Sequence, residues 1–207
     1  MKKIPFDIAF EKRAEICKLI ISGDVDRVRK IAKIYNSEEL FFDNYVEQAS
    51  ALASGGVDGF IIQTMTDLRE AVCALKACKS VSYLPVIVSL AFSAVSGGGR
   101  TVMGDNIAEI SSILEKHGAS IIGANCGELS PYEMALLVGL YKKCTSLPVI
   151  VQPNAGKPQL LNSQVIYDMS PEDFADGLMK CIEEGAVYVG GCCGTTVEHI
   201  KALNQRI

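Results

Sequence analysis

The sequence predicts an α/β fold built around a parallel sheet of about five strands. Short apolar runs alternate with longer helical segments from residue 38 onward, which is typical of right-handed βαβ units. The apolar runs are almost continuous, as in strands whose two faces are both covered. Ser130-Pro131 and Ser170-Pro171 each begin a helical segment, with serine as N-cap and proline at the first helical position.

The elements follow one another in a regular order. The first predicted helix of this region spans residues 38–54, and Gly55-Gly56 ends it. Five apolar runs are predicted strands, at residues 58–64, 84–92, 119–126, 147–152 and 186–191. The segments between and after these strands are predicted helices, at residues 67–79, 107–117, 131–144, 171–184 and 197–206.

The first 37 residues differ from the rest. Two helices are predicted there, over residues 6–21 and 25–35, and the pattern shows no strand. We therefore divide the chain into an N-terminal helical segment, residues 1–37, and a β/α region, residues 38–207.

Composition excludes several classes of protein. The chain has 207 residues, of which 49% are hydrophobic, and a formal net charge of −4. The hydrophobic fraction is enough for a buried core. Because the sequence has no block of basic residues, we expect no nucleic-acid partner. The longest apolar stretch, residues 85–95, falls well short of the roughly 18 residues of a membrane span. Charged residues interrupt any N-terminal signal sequence, so we expect a cytoplasmic protein.

The chain contains eight cysteines, and a disulfide framework is not expected in a reducing compartment. Five of them fall in helical segments, where packing is the expected role: Cys17, Cys73, Cys78, Cys144 and Cys181.

The other three cysteines follow strands. Cys126 ends the third predicted strand, and Cys192 and Cys193 follow the fifth. Pro-Asn-Ala-Gly at residues 153–156 follows the fourth. Because the carboxyl ends of parallel strands meet at one edge of the sheet, the three thiols are expected to converge there.

Three thiolates suit a tetrahedral zinc ion with a fourth position left for a substrate. Adjacent cysteines point to opposite sides of a regular strand, but the glycines around Cys192 and Cys193 allow the backbone to turn both towards one metal. The alternatives are cysteines that merely pack and a Cys192–Cys193 redox pair. His117 and His199 are alternative ligands, or ordinary histidines at helix ends.

The charge of such a centre points to its chemistry. Zinc with three thiolates carries a charge of −1 and activates water poorly. It can still bind a substrate thiol and keep it as a nucleophilic thiolate at neutral pH. Alkyl transfer to a thiol is the natural reaction.

The motifs resemble those of one known family. Residues 190–196, Gly-Gly-Cys-Cys-Gly-Thr-Thr, are similar to the C-terminal zinc motif of the homocysteine S-methyltransferases. This family includes the homocysteine-binding domain of cobalamin-dependent methionine synthase and betaine–homocysteine methyltransferase. Residues 123–126 and 153–156 resemble two further family motifs, and the match at residues 100–105 is weaker.

The resemblance covers residues 38–207 and implies a TIM (β/α)8-barrel-like fold, with Cys126, Cys192 and Cys193 as zinc ligands. The five predicted strands correspond to the last five of the barrel, with the two N-terminal helices in place of the opening strands. A sheet truncated in this way has open edges, so we expect a homo-oligomer or an obligate complex.

The resemblance also implies substrate-binding residues. Gln63 stands where the family usually has a glutamate that binds the amino group of the substrate. Gln63 is neutral and accepts a hydrogen bond only through its carbonyl oxygen. Asn125 and Asn154 are further candidates for binding the substrate, with structural roles in turns as the alternative.

The function expected from this is a zinc-dependent S-methyltransferase that acts on a small-molecule thiol, homocysteine, and gives methionine. No catalytic residue beyond the zinc-bound thiolate is required. The chain has no D-x-H-x-x-G corrinoid signature, so a corrinoid donor would be a separate protein, and sulfonium or betaine donors are open. The alternatives are a non-catalytic zinc-binding subunit of a methyltransferase complex and a thiol redox protein.

Overall fold

The structure, a computed structural model, describes residues 38–161 and 164–207. The helices of these residues are α1 Glu38–Ser54, α2 Leu68–Val81, α3 Ile107–Lys116, α4 Pro131–Cys144, α5 Pro171–Glu183 and α6 Val197–Asn204. The strands are β1 Phe60–Met65, β2 Val86–Leu90, β3 Phe92–Ala94, β4 Arg100–Thr101, β5 Ile121–Asn125, β6 Val149–Gln152, β7 Gln159–Leu161, β8 Gln164–Ile166 and β9 Tyr188–Val189. Residues Phe42–Ile207 form one compact unit.

The central sheet has five strands in the order β1-β2-β5-β6-β9, and every neighbouring pair is parallel. The predicted α/β fold with five parallel strands is therefore confirmed. The helices predicted for residues 6–21 and 25–35 lie outside the described residues.

Two antiparallel hairpins, β3–β4 and β7–β8, were not predicted. The apolar run at residues 84–92 divides into β2 and the start of β3. The Ala91 N–H donates to the Met65 carbonyl at 2.8 Å, after which the chain leaves the sheet and pairs locally. A two- or three-residue strand carries too little of the period-two pattern to be recognised in a sequence.

The predicted helix caps are confirmed at both serine-proline pairs. Ser130 Oγ accepts from the Glu133 N–H at 3.3 Å, and the Glu133 carboxylate accepts from the Ser130 N–H at 2.8 Å, which completes a capping box. Hydrogen bonds from Ser130 hold the pKa of Glu133 below its usual value. Ser170 Oγ accepts from the Asp173 N–H at 3.1 Å.

The helices cover one face of the sheet, where the core residues Phe60, Val88, Ile122 and Val151 are buried. The prediction that both faces are covered is wrong for the described residues at the sheet margins: Ile61 on β1 is 46% exposed and Tyr188 on β9 is 47% exposed. These strands are the two ends of the strand order, and the described residues do not close the sheet into a barrel.

The packing role predicted for the helical cysteines holds for three of them. Cys73, Cys78 and Cys181 are buried, whereas Cys144, at the last residue of α4, is exposed. Cys17 lies outside the described residues. Among the helices that the structure describes, none combines the length and the apolarity needed to cross a membrane.

Candidate metal centre

Cys126 follows β5 directly and adopts a left-handed backbone conformation, with φ +55°, as does Gly127, with φ +72°. The Cys126 N–H donates to the Gln152 carbonyl at 3.0 Å and so extends the pairing of β5 with β6. A Cβ on Gly127 would lie 2.5 Å from the Phe92 carbonyl oxygen, so only glycine fits there. The turn thus directs the Cys126 thiol away from the strand axis at the carboxyl edge of the sheet.

Cys192 and Cys193 lie in the loop between β9 and α6. The Cys192 N–H donates to the Pro153 carbonyl at 2.8 Å, and the Ala155 N–H donates to the Cys193 carbonyl at 2.9 Å. The loop is therefore attached to the segment that follows β6. A further bond, from the Thr195 N–H to the Cys192 carbonyl at 3.2 Å, closes a turn that contains both cysteines.

The three predicted thiols meet. Cys126 Sγ lies 3.9 Å from Cys193 Sγ, and Cys192 Sγ lies 4.0 Å from Cys193 Sγ. All three sulfur atoms lie within 4.8 Å of one another. Tetrahedral zinc with Zn–S bonds of about 2.3 Å separates its sulfur ligands by about 3.8 Å. The spacing and the donor set therefore fit a zinc ion.

One side of this cluster is open to solvent. Cys193 is exposed, and Cys126 and Cys192 are half-buried. Within the described part of the chain, these three cysteines are the one group of three or more metal-ligating side chains close enough to share an ion. A further ligand could therefore approach from the solvent side.

Asn154 lies between the two cysteine loops and is 4% exposed. Its Oδ1 accepts from the Cys193 N–H at 3.1 Å, and its Nδ2 donates to the Gly127 carbonyl at 3.1 Å. The side-chain amide of Asn154 thus joins the loop after Cys126 to the loop that carries Cys193.

Asn125 is fully buried beside Cys192. Its Oδ1 accepts from the Thr64 N–H and from Ser89 Oγ, both at 2.8 Å. Its Nδ2 donates to Thr64 Oγ1 at 2.7 Å and to Cys192 Sγ at 3.8 Å.

Gln63 lies near the carboxyl end of β1, with its side chain exposed. It precedes Thr64, whose contacts with Asn125 bring this end of β1 next to the residue before Cys126. Gln63 and the cysteine cluster are therefore at the same edge of the sheet.

The two histidines differ in position. His199 is buried, and its Nδ1 accepts from the Thr196 N–H at 3.2 Å while its Nε2 donates to the Met169 carbonyl at 3.1 Å. Both ring nitrogens are thus used within the protein, and His199 is not available as a fourth ligand. His117 caps the C-terminus of α3, before β5 begins, at the end of the strand opposite to Cys126.

Tyr167 is not among the predicted site residues, but it lies beside the cluster. It follows β8, and its ring packs on Gly194, where a Cβ would lie 2.3 Å from the ring. Burial, and next the nearby thiol of Cys193 and those of Cys126 and Cys192, raise the pKa of the Tyr167 hydroxyl. Since this contact depends on the β7–β8 hairpin, no signal in the sequence pattern could have revealed it.

Burial, and next the Cys126 thiol, raise the pKa of Cys192 to about 11, and the hydrogen bond from Asn125 opposes this shift. Without a metal, then, the Cys192 thiol keeps its proton at neutral pH. A cation would reverse that preference, because metal ligation deprotonates a thiol.

Comparison with known proteins agrees with the motifs. The sequence model of the family described as homocysteine S-methyltransferase matches residues 6–207, which includes most of the N-terminal segment that the motif resemblance left out. The methionine synthases of Mycobacterium leprae (strain TN) and Mycobacterium tuberculosis (strain ATCC 25618 / H37Rv) are 33% and 32% identical over 167 residues. Each alignment covers 78% of this chain and 14% of the relative, so the chain spans a small part of those proteins.

Solved structures show the same fold. The apo form of the homocysteine methyltransferase MmuM from Escherichia coli matches with a TM-score of 0.66 at 20% identity, over 88% of this chain and 70% of that one. Its metallated form matches with a TM-score of 0.60 at 21% identity, over 78% and 52%. The likeness supports the barrel-like α/β architecture that the motifs predict.

Proposed function

The chain belongs to the homocysteine S-methyltransferase family, and on this premise we propose that it is an enzyme that methylates a small-molecule thiol, homocysteine, to give methionine. One observation carries the proposal. Three cysteine sulfurs converge within 4.8 Å at the carboxyl edge of the sheet, with one side open to solvent.

We propose Zn²⁺ as the resident metal, held by Cys126, Cys192 and Cys193. The sulfur spacings of 3.9 and 4.0 Å and the all-sulfur donor set support this choice over magnesium or calcium, which prefer oxygen. When bound, zinc would supply a site at which an acceptor thiol stays deprotonated at neutral pH.

The residues around the cluster have three tasks in this proposal. Asn154 holds the two cysteine loops together. His199 fixes the start of α6 and leaves the fourth position to the substrate. Gln63, at the end of β1, accepts a hydrogen bond from the amino group of the acceptor through its side-chain carbonyl.

The transfer itself needs no proton acceptor from the chain once the acceptor is a thiolate. Its sulfur forms the bond to the methyl carbon while the bond from methyl to donor breaks, and that electron pair leaves with the donor. The candidate donors are a methyl-corrinoid carried by a separate protein, a sulfonium compound and betaine, and the activity assay below compares them. A reducing compartment such as the cytoplasm would keep the seven free thiols of the described residues reduced.

Metal content tests the proposal first. Zinc is measured per chain in protein purified without chelator, for the wild type and for Cys126→Ser, Cys192→Ser and Cys193→Ser. Cys144→Ser, which removes an exposed thiol outside the cluster, is the matched control. We expect one zinc per chain in the wild type and the control, and loss of zinc in the other three variants. Well-folded wild type without zinc would overturn the proposed centre and leave a redox role for Cys192 and Cys193 as the next to test.

Activity separates the enzyme from a non-catalytic subunit. Zinc-loaded protein is given homocysteine with a methyl-corrinoid protein, a sulfonium compound or betaine, and methionine is measured. Methionine formed with one donor supports the enzyme and identifies the donor class. Zinc binding without methionine from any of them would favour the subunit of a methyltransferase complex.

A further inference from the structure

We propose that Asn125 is a positioning residue, which donates a hydrogen bond to the Cys192 sulfur and fixes that sulfur to the end of β1. The inference rests on the proposed zinc centre and deepens it. It assigns to Asn125 an indirect role, through Cys192 and Thr64, in place of the direct substrate contact expected from the sequence.

The orientation of the Asn125 amide follows from its partners. The Thr64 N–H can only donate, so the group that it meets at 2.8 Å must be the oxygen Oδ1. The amide nitrogen Nδ2 therefore faces Cys192 Sγ, at 3.8 Å. The sulfur thus meets a donor, which stabilises a thiolate more than a thiol.

Asn125 has no capacity left for a substrate. Its oxygen accepts from Thr64 and Ser89, and its two N–H groups donate to Thr64 Oγ1 and Cys192 Sγ. An amide can accept two hydrogen bonds and donate two, and the side chain is fully buried. Its influence on an acceptor must therefore pass through the groups that it holds.

Thr64, which Asn125 holds at the end of β1, has a strained backbone. Thr64 has φ +61°, a left-handed conformation that is an outlier for a β-branched residue. The register of β1 with β2 shifts between Ile62 and Met65, so the strain coincides with the irregular end of the strand. Asn125 accepts from the backbone N–H of Thr64 and donates to its hydroxyl, and this pair of bonds holds the conformation of the residue that follows Gln63 at the end of β1.

Cobalt binding tests the inference, since Co²⁺ replaces Zn²⁺ in thiolate sites and its sulfur-to-metal charge-transfer band reports the charge on the sulfur. Asn125→Ala is compared with Ser89→Ala. The control removes a hydrogen bond to the same side chain but leaves the donor to Cys192 in place. We expect Asn125→Ala to bind metal roughly 10- to 100-fold more weakly, as is usual when a partner of a metal ligand is lost. Its charge-transfer band should move to lower energy, whereas Ser89→Ala keeps the wild-type band.

Circular dichroism establishes that each variant is folded. If Asn125→Ala does not fold, Asn125→Asp gives the spectroscopic readout, because it keeps oxygen acceptors for Thr64 and Ser89 and loses the donor to sulfur. Folded Asn125 variants with the wild-type band and the affinity of Ser89→Ala would overturn the inference while leaving the zinc centre intact. A wild type that binds no Co²⁺ would overturn the centre itself, and with it the role of Asn125.

Discussion

At the scale of single residues, the cysteine cluster depends on buried side chains that lie away from its solvent-exposed side. Asn154 joins the two cysteine loops, and Asn125 donates to the Cys192 sulfur. His199, at the start of α6, forms a hydrogen bond with the Met169 carbonyl. Each of them is buried, and each has at least one hydrogen-bond partner that is distant in the sequence. The residue types suggested a site, but which atoms they bind follows only from the folded chain.

The raised pKa of the Cys192 thiol makes the stability of the metal-free protein depend on pH. Its pKa is raised to about 11 in the folded state, against about 8.5 for an unfolded cysteine. Because the folded state favours the protonated thiol, this group favours folding below about pH 8.5, and that contribution to stability is lost as the pH rises from about 8.5 towards 11. We expect a loss of about 1 kcal/mol, since partial exposure of Cys192 screens the effect.

Urea unfolding at pH 8 and pH 10, with chelator and reductant present, measures this loss. Other buried groups, such as Cys181, whose pKa is raised to about 12, also destabilise the fold in alkali. The comparison is therefore with Cys192→Ser, which should lose less stability between the two pH values than the wild type. Equal losses in both proteins would show that Cys192 does not titrate as described.

At the scale of elements, the turn after β5 sets the direction of Cys126. Gly127→Ala would place a Cβ 2.5 Å from the Phe92 carbonyl in a left-handed conformation. Gly98→Ala is the matched control, because Gly98 also has a positive φ, of +87°, but faces open space.

We expect a loss of stability of about 1 kcal/mol for the control and about 3 kcal/mol or more for Gly127→Ala. Only Gly127→Ala should also weaken zinc binding, as measured by chelator competition. Equal effects on stability and zinc affinity would mean that the turn tolerates a side chain.

The elements also divide into those that the sequence pattern reveals and those that it conceals. The five parallel strands are apolar runs that pack against helices, and Ser130 and Ser170 cap helices through local hydrogen bonds, so short-range patterns predict both. The β3–β4 and β7–β8 hairpins have strands of two or three residues, and tertiary contacts define them. The left-handed Thr64 is likewise concealed, because Asn125, sixty-one residues away, holds it.

The convergence of the cysteines was predictable for a reason of topology. All five strands are parallel, so residues that follow different strands reach one edge of the sheet. What could not be predicted is the spacing that makes the thiols a metal site. It depends on the positive φ of Cys126 and on the bond between the Cys193 N–H and Asn154.

At the scale of the whole molecule, the sheet has two edges among the described residues. β1 and β9 lie at the ends of the strand order, and both carry exposed apolar side chains, Ile61 on β1 and Tyr188 on β9. Val187, next to β9, is 58% exposed. An uncovered strand edge with apolar side chains favours association, so the expectation of a homo-oligomer or an obligate complex stays a prediction.

Association through the β9 edge can be tested with one pair of variants. Tyr188→Lys places a charge on the edge strand, where it would be buried or would face apolar groups in an assembly. Tyr83→Lys changes a tyrosine that is fully exposed in the loop before β2 and serves as the control. We expect sedimentation velocity over a wide range of concentrations to show an oligomer whose dissociation constant rises about tenfold or more, ~1.4 kcal/mol, in Tyr188→Lys alone. A wild type that stays monomeric at every concentration, with and without the methyl-corrinoid protein, would contradict the prediction. The β9 edge would then be compatible with solvent.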